Sequence, residues 1–421
     1  MLERTDRPRL AGRLIAAAAI LVAGPTVAVA EGDLSTPCPR WAVDTVYWSP
    51  AGCFGEAAGL VVSDVNAHGI VVGDQLCFGS RTAFMWTEER GVEYFPFPAG
   101  ASVSRAFGIT DDGLIAGTVG LDSALRGWVY DGETMTIIDP IPGATESVKV
   151  TGITPDGTVT GEIGTLNPEV PFAPFRWKDG VLITIEDPLF AATVITFGVT
   201  DDGIIFGHYV DADYEPFRLQ AFLLDGETVH SLPLPTDATY SDVRGQNDDG
   251  SWWGTIRRPD QAGESRPLPA IWSGSDPIEI PPGSYRQLIF DHAVADGVYA
   301  GRAMRYGSNH TTRIIWDQGV IRLLEDVVEH PEYIDSFRVD HTRDGTMFLL
   351  GDGAPDVNIV SMIAHPSSPI PGDLDCDGLV QFDDVLLLLS AWNGTQGQRA
   401  DLDGDGQIGL GDLQALLKLW N

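Results

Sequence analysis

Basic residues are scarce in this chain beside acidic ones. Its 421 residues carry 26 Lys and Arg against 60 Asp and Glu, a formal net charge of −34. A phosphate backbone or an anionic bilayer rewards Lys and Arg, so charge argues against nucleic acid or an acidic membrane as a partner. The acid excess suits solubility in salty or calcium-bearing surroundings. Cysteine is scarce too, with four in all, and the absence of any C-x-x-C pair removes zinc ribbons and thioredoxin-type redox sites. The eight histidines show no H-E-x-x-H or other ligand spacing, and His68 sits in a turn. A G-x-S-x-G elbow, a P-loop and a dinucleotide fingerprint are all missing. After residue 30 no apolar run is long enough to span a bilayer.

The one greasy run lies at the start. Arg4, Arg7, Arg9 and Arg13 precede Leu14 to Val22, and small residues follow to Ala28-Val29-Ala30. That order is a secretory signal over residues 1–30, with cleavage expected after Ala30. A membrane anchor is the other reading, against which stand the short run and Gly24-Pro25. The mature chain is therefore expected to be secreted, extracellular or at the cell surface, without a membrane span. Export permits disulfides, and Cys38–Cys53 or Cys53–Cys77 would each close a short loop worth about 3 kcal/mol. Spacing does not choose between them.

Glycine and proline, by contrast, are plentiful, at 48 and 28. Many of the glycines fall into a repeated unit, Gly108-Ile109-Thr110-Asp111-Asp112-Gly113-Leu114-Ile115-Ala116-Gly117. It returns at Gly152–Gly161 and Gly198–Gly207, with looser copies whose turns end at Gly69, Gly250, Gly297 and Gly345. Successive turns are 44, 44, 46, 47, 47 and 48 residues apart, which marks a repeat architecture. Asp-Gly suits a tight hairpin turn, since Gly accepts positive φ and Asp tolerates it. A second Gly-bearing turn follows in each unit, as in Asp131-Gly132-Glu133 and Asp225-Gly226-Glu227.

Each unit thus reads as two hairpins. Four strands in about 45 residues is the content of one β-propeller blade. Residues 31–366 are expected to form an all-β repeat body, a propeller of seven blades, with six or eight as the margin. Trp86, Trp128, Trp177, Phe222, Trp272 and Trp316 are expected to pack between blades. The last unit, from Ile334 to His365, lacks a final strand, and Thr45–Trp48 to Cys53-Phe54 would supply it and hide a sticky edge. The Gly-Ile-Thr/Asn-x-Asp-Gly-x-Ile/Val-x-Gly pattern, followed by Thr82-Ala83-Phe84-Met85-Trp86 or Gln220-Ala221-Phe222, resembles the HAF-type extracellular repeat family of exported bacterial proteins. That resemblance implies an exported β-rich scaffold and supplies no catalytic residues. Sialidase-like propellers place Asp two residues before Gly, whereas Asp112, Asp156 and Asp202 directly precede it here.

After His365 the composition changes. Residues 367–372 are a stiff, Pro-rich linker. Two acidic loops follow, 28 residues apart, beginning at Asp373 and Asp401. Each has acids at positions 1, 3, 5 and 12, Gly at 6 and an apolar residue at 8, the pattern of an EF-hand-type calcium loop. The expected ligands to two Ca²⁺ ions are Asp373, Asp375, Asp377, Leu379 (carbonyl), Gln381 and Asp384 in one loop. The other uses Asp401, Asp403, Asp405, Gln407 (carbonyl), Gly409 (through water) and Asp412. Pro369 and Pro371 exclude an entering helix before the first loop, and single exit helices are expected at 384–392 and 412–420. Val385, Leu386, Leu389 and Trp392, with Leu413, Leu416, Leu417 and Trp420, are the expected core of this small α module.

This duplicated loop and exit helix over residues 373–421 resembles the dockerin domain. The resemblance implies docking to a cohesin-like protein or another cell-surface component, through helix residues near positions 10 and 11. Those are Phe382-Asp383 and Leu410-Gly411 here, where the best-known cellulosomal members carry a Ser-Thr type pair. The leading expectation is an exported calcium-binding scaffold whose propeller binds a ligand, with carbohydrate as one candidate. A polysaccharide-active hydrolase or lyase on the same propeller is the alternative, and no residue is assigned as catalytic.

Overall fold

A computed structural model of the chain describes residues 41–48, 59–77, 80–140, 146–165, 172–190, 193–211, 218–259, 265–329 (except 275, 296, 309 and 318), 334–343, 346–353, 359–366, 370–375, 379–394 and 399–420. The expected signal peptide and cysteine pairing lie outside the described residues. The chain forms two compact units, one spanning Pro39–Ser368 and one containing Pro369–Asn421.

The larger unit is a series of antiparallel meanders. Strand β1 (Trp41–Trp48) comes first, then β2 (Gly59–Val65), β3 (Val71–Cys77), β4 (Ser80–Thr87) and β5 (Gly91–Tyr94) form a four-stranded sheet. The second sheet is β6 (Ser104–Ile109), β7 (Ile115–Leu121), β8 (Ala124–Tyr130) and β9 (Met135–Ile138). The third is β10 (Ser147–Ile153), β11 (Val159–Gly164), β12 (Ala173–Lys178) and β13 (Val181–Thr184). Next come β14 (Val194–Val199), β15 (Ile205–Asp211), β16 (Arg218–Asp225) and β17 (Thr228–Ser231), then β18 (Tyr240–Gln246), β19 (Trp252–Pro259), β20 (Ser265–Trp272) and β21 (Ile278–Glu279). A single parallel bridge, Leu219 to Tyr240, joins these two meanders into one eight-stranded sheet. Strands β22 (Tyr285–Ala295), β23 (Val298–Arg305), β24 (Thr311–Asp317) and β25 (Val320–Leu323) make another sheet. A turn of helix, α1 (Leu324–Val327), leads to β26 (Val328–Glu329), and β27 (Ile334–Arg343), β28 (Thr346–Gly353) and β29 (Ile359–Pro366) complete the body.

The first strands of these meanders touch in the order β2, β6, β10, β14, β18, β22, β27, and β27 touches β2 again. The chain therefore closes on itself. Strand β1 lies antiparallel to β29, from Trp41 opposite Pro366 to Trp48 opposite Val360, and β26 covers its other edge in parallel. The N-terminal segment thus supplies, through Trp41–Trp48, the strand that the last unit lacks, while the Cys53-Phe54 part of that expectation lies outside the described residues.

The repeated turn differs in detail from a two-residue Asp-Gly hairpin. Thr110 N–H donates to Leu114 O at 2.9 Å and Gly113 N–H to Thr110 O at 2.9 Å, so three residues form the loop. Gly113 alone takes positive φ (86°), and Asp112 keeps the ordinary sign. This is a type I turn followed by a left-handed Gly. The same pair of bonds recurs at 66–70, 154–158, 200–204 and 247–251. Thr110 Oγ1 accepts the Leu114 N–H at 3.0 Å, and Thr158 and Ile204 repeat that bond to Thr154 and Thr200.

The second recurring glycine of the unit answers to packing. A Cβ on Gly117 would stand 2.1 Å from Arg105 O and 2.4 Å from the Trp128 ring, its cross-strand partner. Trp128 is fully buried with Val72 and Ala83 of the preceding sheet, so the core lies between sheets as expected. The expected aromatic row was one position in sequence but is two in space. Trp128 and Phe222 face Gly117 and Gly207, whereas Trp86, Trp177, Trp272 and Trp316 sit two residues further along, opposite Val71, Val159, Trp252 and Tyr299. Residues two apart on a strand share a face, so either position can carry the ring.

In the smaller unit, α2 (Phe382–Ser390) and α3 (Leu410–Leu419) each begin two residues before the expected start. Their position-12 carboxylates reach back to the backbone preceding the helix: Asp384 accepts Gln381 N–H and Asp412 accepts Gly409 N–H, both at 2.7 Å. An acid there caps the first turn and lets it form earlier. Leu374, Val380, Val385, Leu387, Leu388, Ala400, Ile408 and Leu416 form the core, with Leu389, Trp392, Leu413 and Trp420 packed at its margin. Leu386 and Leu417 fall outside it, and Leu387 and Leu388, which the helical spacing did not name, fall inside. No described helix is long and apolar enough to cross a membrane.

Candidate functional site

In the smaller unit, carboxylates gather in both acidic loops. Oxygens of Asp373, Asp375 and Asp384 lie within 4.8 Å of one another, as do those of Asp401, Asp403 and Asp405. Asp377 lies outside the described residues. Gly406 has φ 82°, the left-handed turn that position 6 requires. Gln407 N–H donates to Asp405 Oδ1 at 2.8 Å, and Gly404 and Gly406 donate to the two oxygens of Asp401 at 2.9 and 3.0 Å. Leu379 is exposed, Gln381 is half-buried and immediately precedes α2, and Gly409 likewise precedes α3.

The position-12 residues behave alike in the two loops. Asp384 is fully buried and accepts Leu374, Asp375 and Gln381 N–H at 2.6, 3.2 and 2.7 Å. Asp412 accepts Leu402, Asp403 and Gly409 N–H at 2.7, 3.1 and 2.7 Å. Although burial works the other way, these amides hold the Asp412 carboxyl below the usual carboxylate range. A carboxylate has four lone-pair sites, so three amide bonds leave one for a cation. The donors are all oxygen, the chemistry of a hard cation such as Ca²⁺, and the residues present fit one in each loop.

In the larger unit the notable space is a cavity of about 550 Å³, walled by the first strands of successive meanders. Each of those strands carries a bulge one residue before the first glycine of the repeat, or before its replacement. The bulged residues are Ser63, Phe107, Thr151, Phe197, Arg244 and Asp291, with Asp340 at the equivalent backbone position of β27. The first six line the cavity. A bulge re-aims a side chain, here one per strand toward the central space. The motif-based reading passed over this position because it followed the recurring glycines and turns. The residue ahead of the first glycine, variable from copy to copy, was the available signal.

The charges at this wall are held by neighbours. Arg244 donates from Nε and Nη2 to Asp242 Oδ2 at 3.0 and 2.7 Å and lies over the Phe197 ring at 4.1 Å. Tyr240 donates its hydroxyl to the same oxygen at 2.6 Å, and Thr255 N–H reaches Oδ1 at 3.0 Å. Asp291 is gripped by Nε and Nη2 of Arg302, both at 2.9 Å. Asp64 accepts the N–H of Ile109 from the next meander at 2.8 Å and that of Val65 at 2.7 Å. Behind the wall, His208 is buried against Phe197 and Tyr240, with ring centroids 5.2 and 5.7 Å away. Its Nδ1 has no hydrogen-bond partner, and burial pushes its pKa down to about 4.

A second cavity of about 510 Å³ lies among turns of the third and fourth meanders, lined by Asp156, Arg176, Asp202 and Asp225. Arg176 spans it, donating to Gly226 O at 2.6 Å and Gly203 O at 3.1 Å. Lys178 holds Asp156 well below the usual carboxylate range, helped by bonds from Thr154 and Thr158.

No family model and no curated protein matches the sequence. Solved structures do. The β-propeller domain of the Trilobed protease from Pyrococcus furiosus, described as having an open velcro topology, aligns at 14% identity and TM-score 0.50, over 75% of this chain and 96% of that one. YCF48 bound to D1 peptide aligns at 12% identity and TM-score 0.43, over 77% and 94%. A virginiamycin B lyase from Staphylococcus aureus aligns at 13% and 0.40, over 76% and 98%. At such identities likeness speaks to fold alone, and the fold that the Trilobed protease domain gives the larger unit is the β-propeller.

Proposed function

We propose that this is an exported, calcium-binding scaffold or binding protein. Its propeller has seven blades and offers the central channel as a ligand-binding surface. Its C-terminal dockerin-like module docks to a cohesin-like protein or other cell-surface component. The observation that carries the binding reading is the 550 Å³ channel cavity, within the ~300–1,000 Å³ of small-molecule sites. Seven first strands meeting in cyclic order support the blade count. The polysaccharide-active alternative needs a carboxylate pair poised for acid and base work. Asp64 and Asp291 line the cavity, but one is turned to backbone amides and the other is clamped by Arg302. Those engagements favour binding over turnover.

Calcium would sit on Asp373, Asp375, Asp377, Asp384 and the Leu379 carbonyl, and on Asp401, Asp403, Asp405, Asp412 and the Gln407 carbonyl. It would supply charge compensation that a module of some fifty residues cannot draw from its core. With external calcium ~100-fold above Kd, linkage adds ~2.7 kcal/mol per site. Exposed Phe382 and Leu410, at loop position 10 of each repeat, are the surface for the docking partner. Two measurements test the reading together. Limited proteolysis of the full chain with and without chelator should show residues 373–421 degraded only after calcium removal. A glycan array run beside a reducing-sugar assay should show binding without product release. Sugar release that disappears in Asp291→Asn would instead establish the enzyme.

A further inference from the structure

At three places beside the channel a buried acid holds a more exposed cation, while Asp64 and Asp291, which also line the cavity, are engaged by backbone amides and by Arg302. Arg105 is 40% exposed, and its Nε lies 2.9 Å from Asp74, whose carboxylate is fully buried. Lys149 is 39% exposed and 3.4 Å from Glu162, itself 4% exposed. Arg244 is 40% exposed and 2.7 Å from Asp242, itself 2% exposed. Three separate blades thus repeat one device: a carboxylate inside the wall orients a cation that faces open space.

Position along the strand says which space. Arg105 and Phe107 are half-buried on either side of buried Ala106, as Lys149 and Thr151 are on either side of buried Val150, and Phe107 and Thr151 line the cavity. The Arg105 guanidinium over the Phe107 ring, 4.8 Å from its centroid, fixes that direction independently. Arg244 lines the cavity itself. Asp74 also binds Arg81 at 2.6 Å, so one buried negative charge is shared by two guanidiniums. Glu162 Oε1 is already engaged by the N–H of Thr196, which leaves Lys149 at long range on the other oxygen. At Arg105 and Lys149 the buried acid therefore compensates only in part the cation that stands at the surface. In a chain of net charge −34, such a surface is the exception. Between the cations stand the rings of Phe107 and Phe197, each with a guanidinium over it at 4.8 and 4.1 Å.

An anion alone would use only the cations. A ligand that also carries flat apolar faces would use the phenyl rings as well, and a sugar ring bearing an acid group has both. We propose that the central channel binds an acidic oligosaccharide, with Arg105, Lys149 and Arg244 holding its acid groups and Phe107 and Phe197 meeting its sugar faces. The acid groups can be uronate carboxylates or sulfate esters, which share this chemistry. The proposal rests on the reading of the propeller as a ligand-binding body and names the ligand class.

Calorimetric titration of the full chain in calcium buffer tests it, with trigalacturonate, a heparin-derived tetrasaccharide, maltotriose and inorganic sulfate as probes. At least one of the two acidic oligosaccharides should bind, and which is tighter tells carboxylate from sulfate recognition. Its affinity should fall as salt rises from about 50 to about 500 mM. Maltotriose and sulfate should bind at least about tenfold more weakly, and Lys149→Gln should weaken the acidic ligand about tenfold. Arg244→Gln strands Asp242, so the paired variant Asp242→Asn with Arg244→Gln accompanies it, with thermal unfolding of each as the folding control. Folded variants that bind the acidic ligand as well as the parent would overturn the proposal. Equal binding of maltotriose would end the acidic class and leave the binding-protein reading standing. Sulfate as tight as the oligosaccharides would end the sugar contacts. Silence from every probe up to millimolar concentration ends the proposal, and the tail's calcium and docking tests are untouched by it.

Discussion

At the scale of single residues, His208 makes the most specific demand on solution conditions. Its ring is buried between Phe197 and Tyr240, near Asp242 and Arg244, and Nδ1 finds no partner. Burial lowers its pKa to about 4 from an unfolded value near 6.5; Arg244 pushes the same way, and Asp242 opposes without reversing the shift. The unfolded chain therefore takes up a proton that the native chain refuses. Stability from this group is complete above about pH 6.5 and falls as pH drops toward 4, by an amount of order 3 kcal/mol. Thermal unfolding of the propeller between those limits should show the slope, and His208→Asn should flatten it. A slope unchanged in the variant would place the acid sensitivity elsewhere. Gly117 makes a steric demand instead. A methyl there meets Arg105 O and Trp128 well inside contact distance, so Gly117→Ala should destabilise the propeller by about 1–3 kcal/mol or more in chemical denaturation.

At the scale of elements, the two recurring devices are the three-residue turn and the acid-capped helix. In the turn only Gly113 occupies the left-handed region, so Gly113→Ala should cost about 1–2 kcal/mol, while Asp112→Ala should stay within about 0.5 kcal/mol. A two-residue type I′ turn, the form expected from Asp-Gly alone, would make both costly. The helices carry the opposite lesson about acids. Asp412 was read as a cation ligand, yet its carboxylate already accepts three amides that close the loop and start α3. Asp412→Ala should therefore lower the helical signal of the smaller unit at saturating calcium more than Asp405→Ala does, where a ligand-only role predicts equal losses. Circular dichroism of the full chain at saturating calcium, comparing the two variants, distinguishes the two roles. The recurring turns, the two hairpins per unit and the exit helices were legible because they depend on local chemistry: Gly φ, Thr hydroxyls and acid spacing. The helix starts were misplaced because the acid at position 12 serves the backbone before it serves a metal, and spacing alone does not rank those roles.

At the scale of the molecule, the closed ring was legible from arithmetic, and its channel was not. A step of 44 to 48 residues and an orphan half-unit at the N-terminus implied closure. The channel depends on bulges, six of which bring Ser63, Phe107, Thr151, Phe197, Arg244 and Asp291 to the cavity, and variability within a repeat is what a motif search discards. Closure itself can be tested. Strand β1 is held on one edge by β29 and on the other by β26, so it is an interior strand of its sheet although it comes first in sequence. Removing residues 31–48 would bare the edge of β29, a row of unpaired amides and carbonyls inviting a second chain. The truncated protein should unfold at lower temperature than the parent and self-associate in sedimentation velocity. A synthetic peptide of residues 39–50 added in trans should restore the monomer by refilling the gap. Were β1 an ornament on an already closed ring, truncation would leave both oligomeric state and melting temperature unchanged, and the peptide would bind nothing.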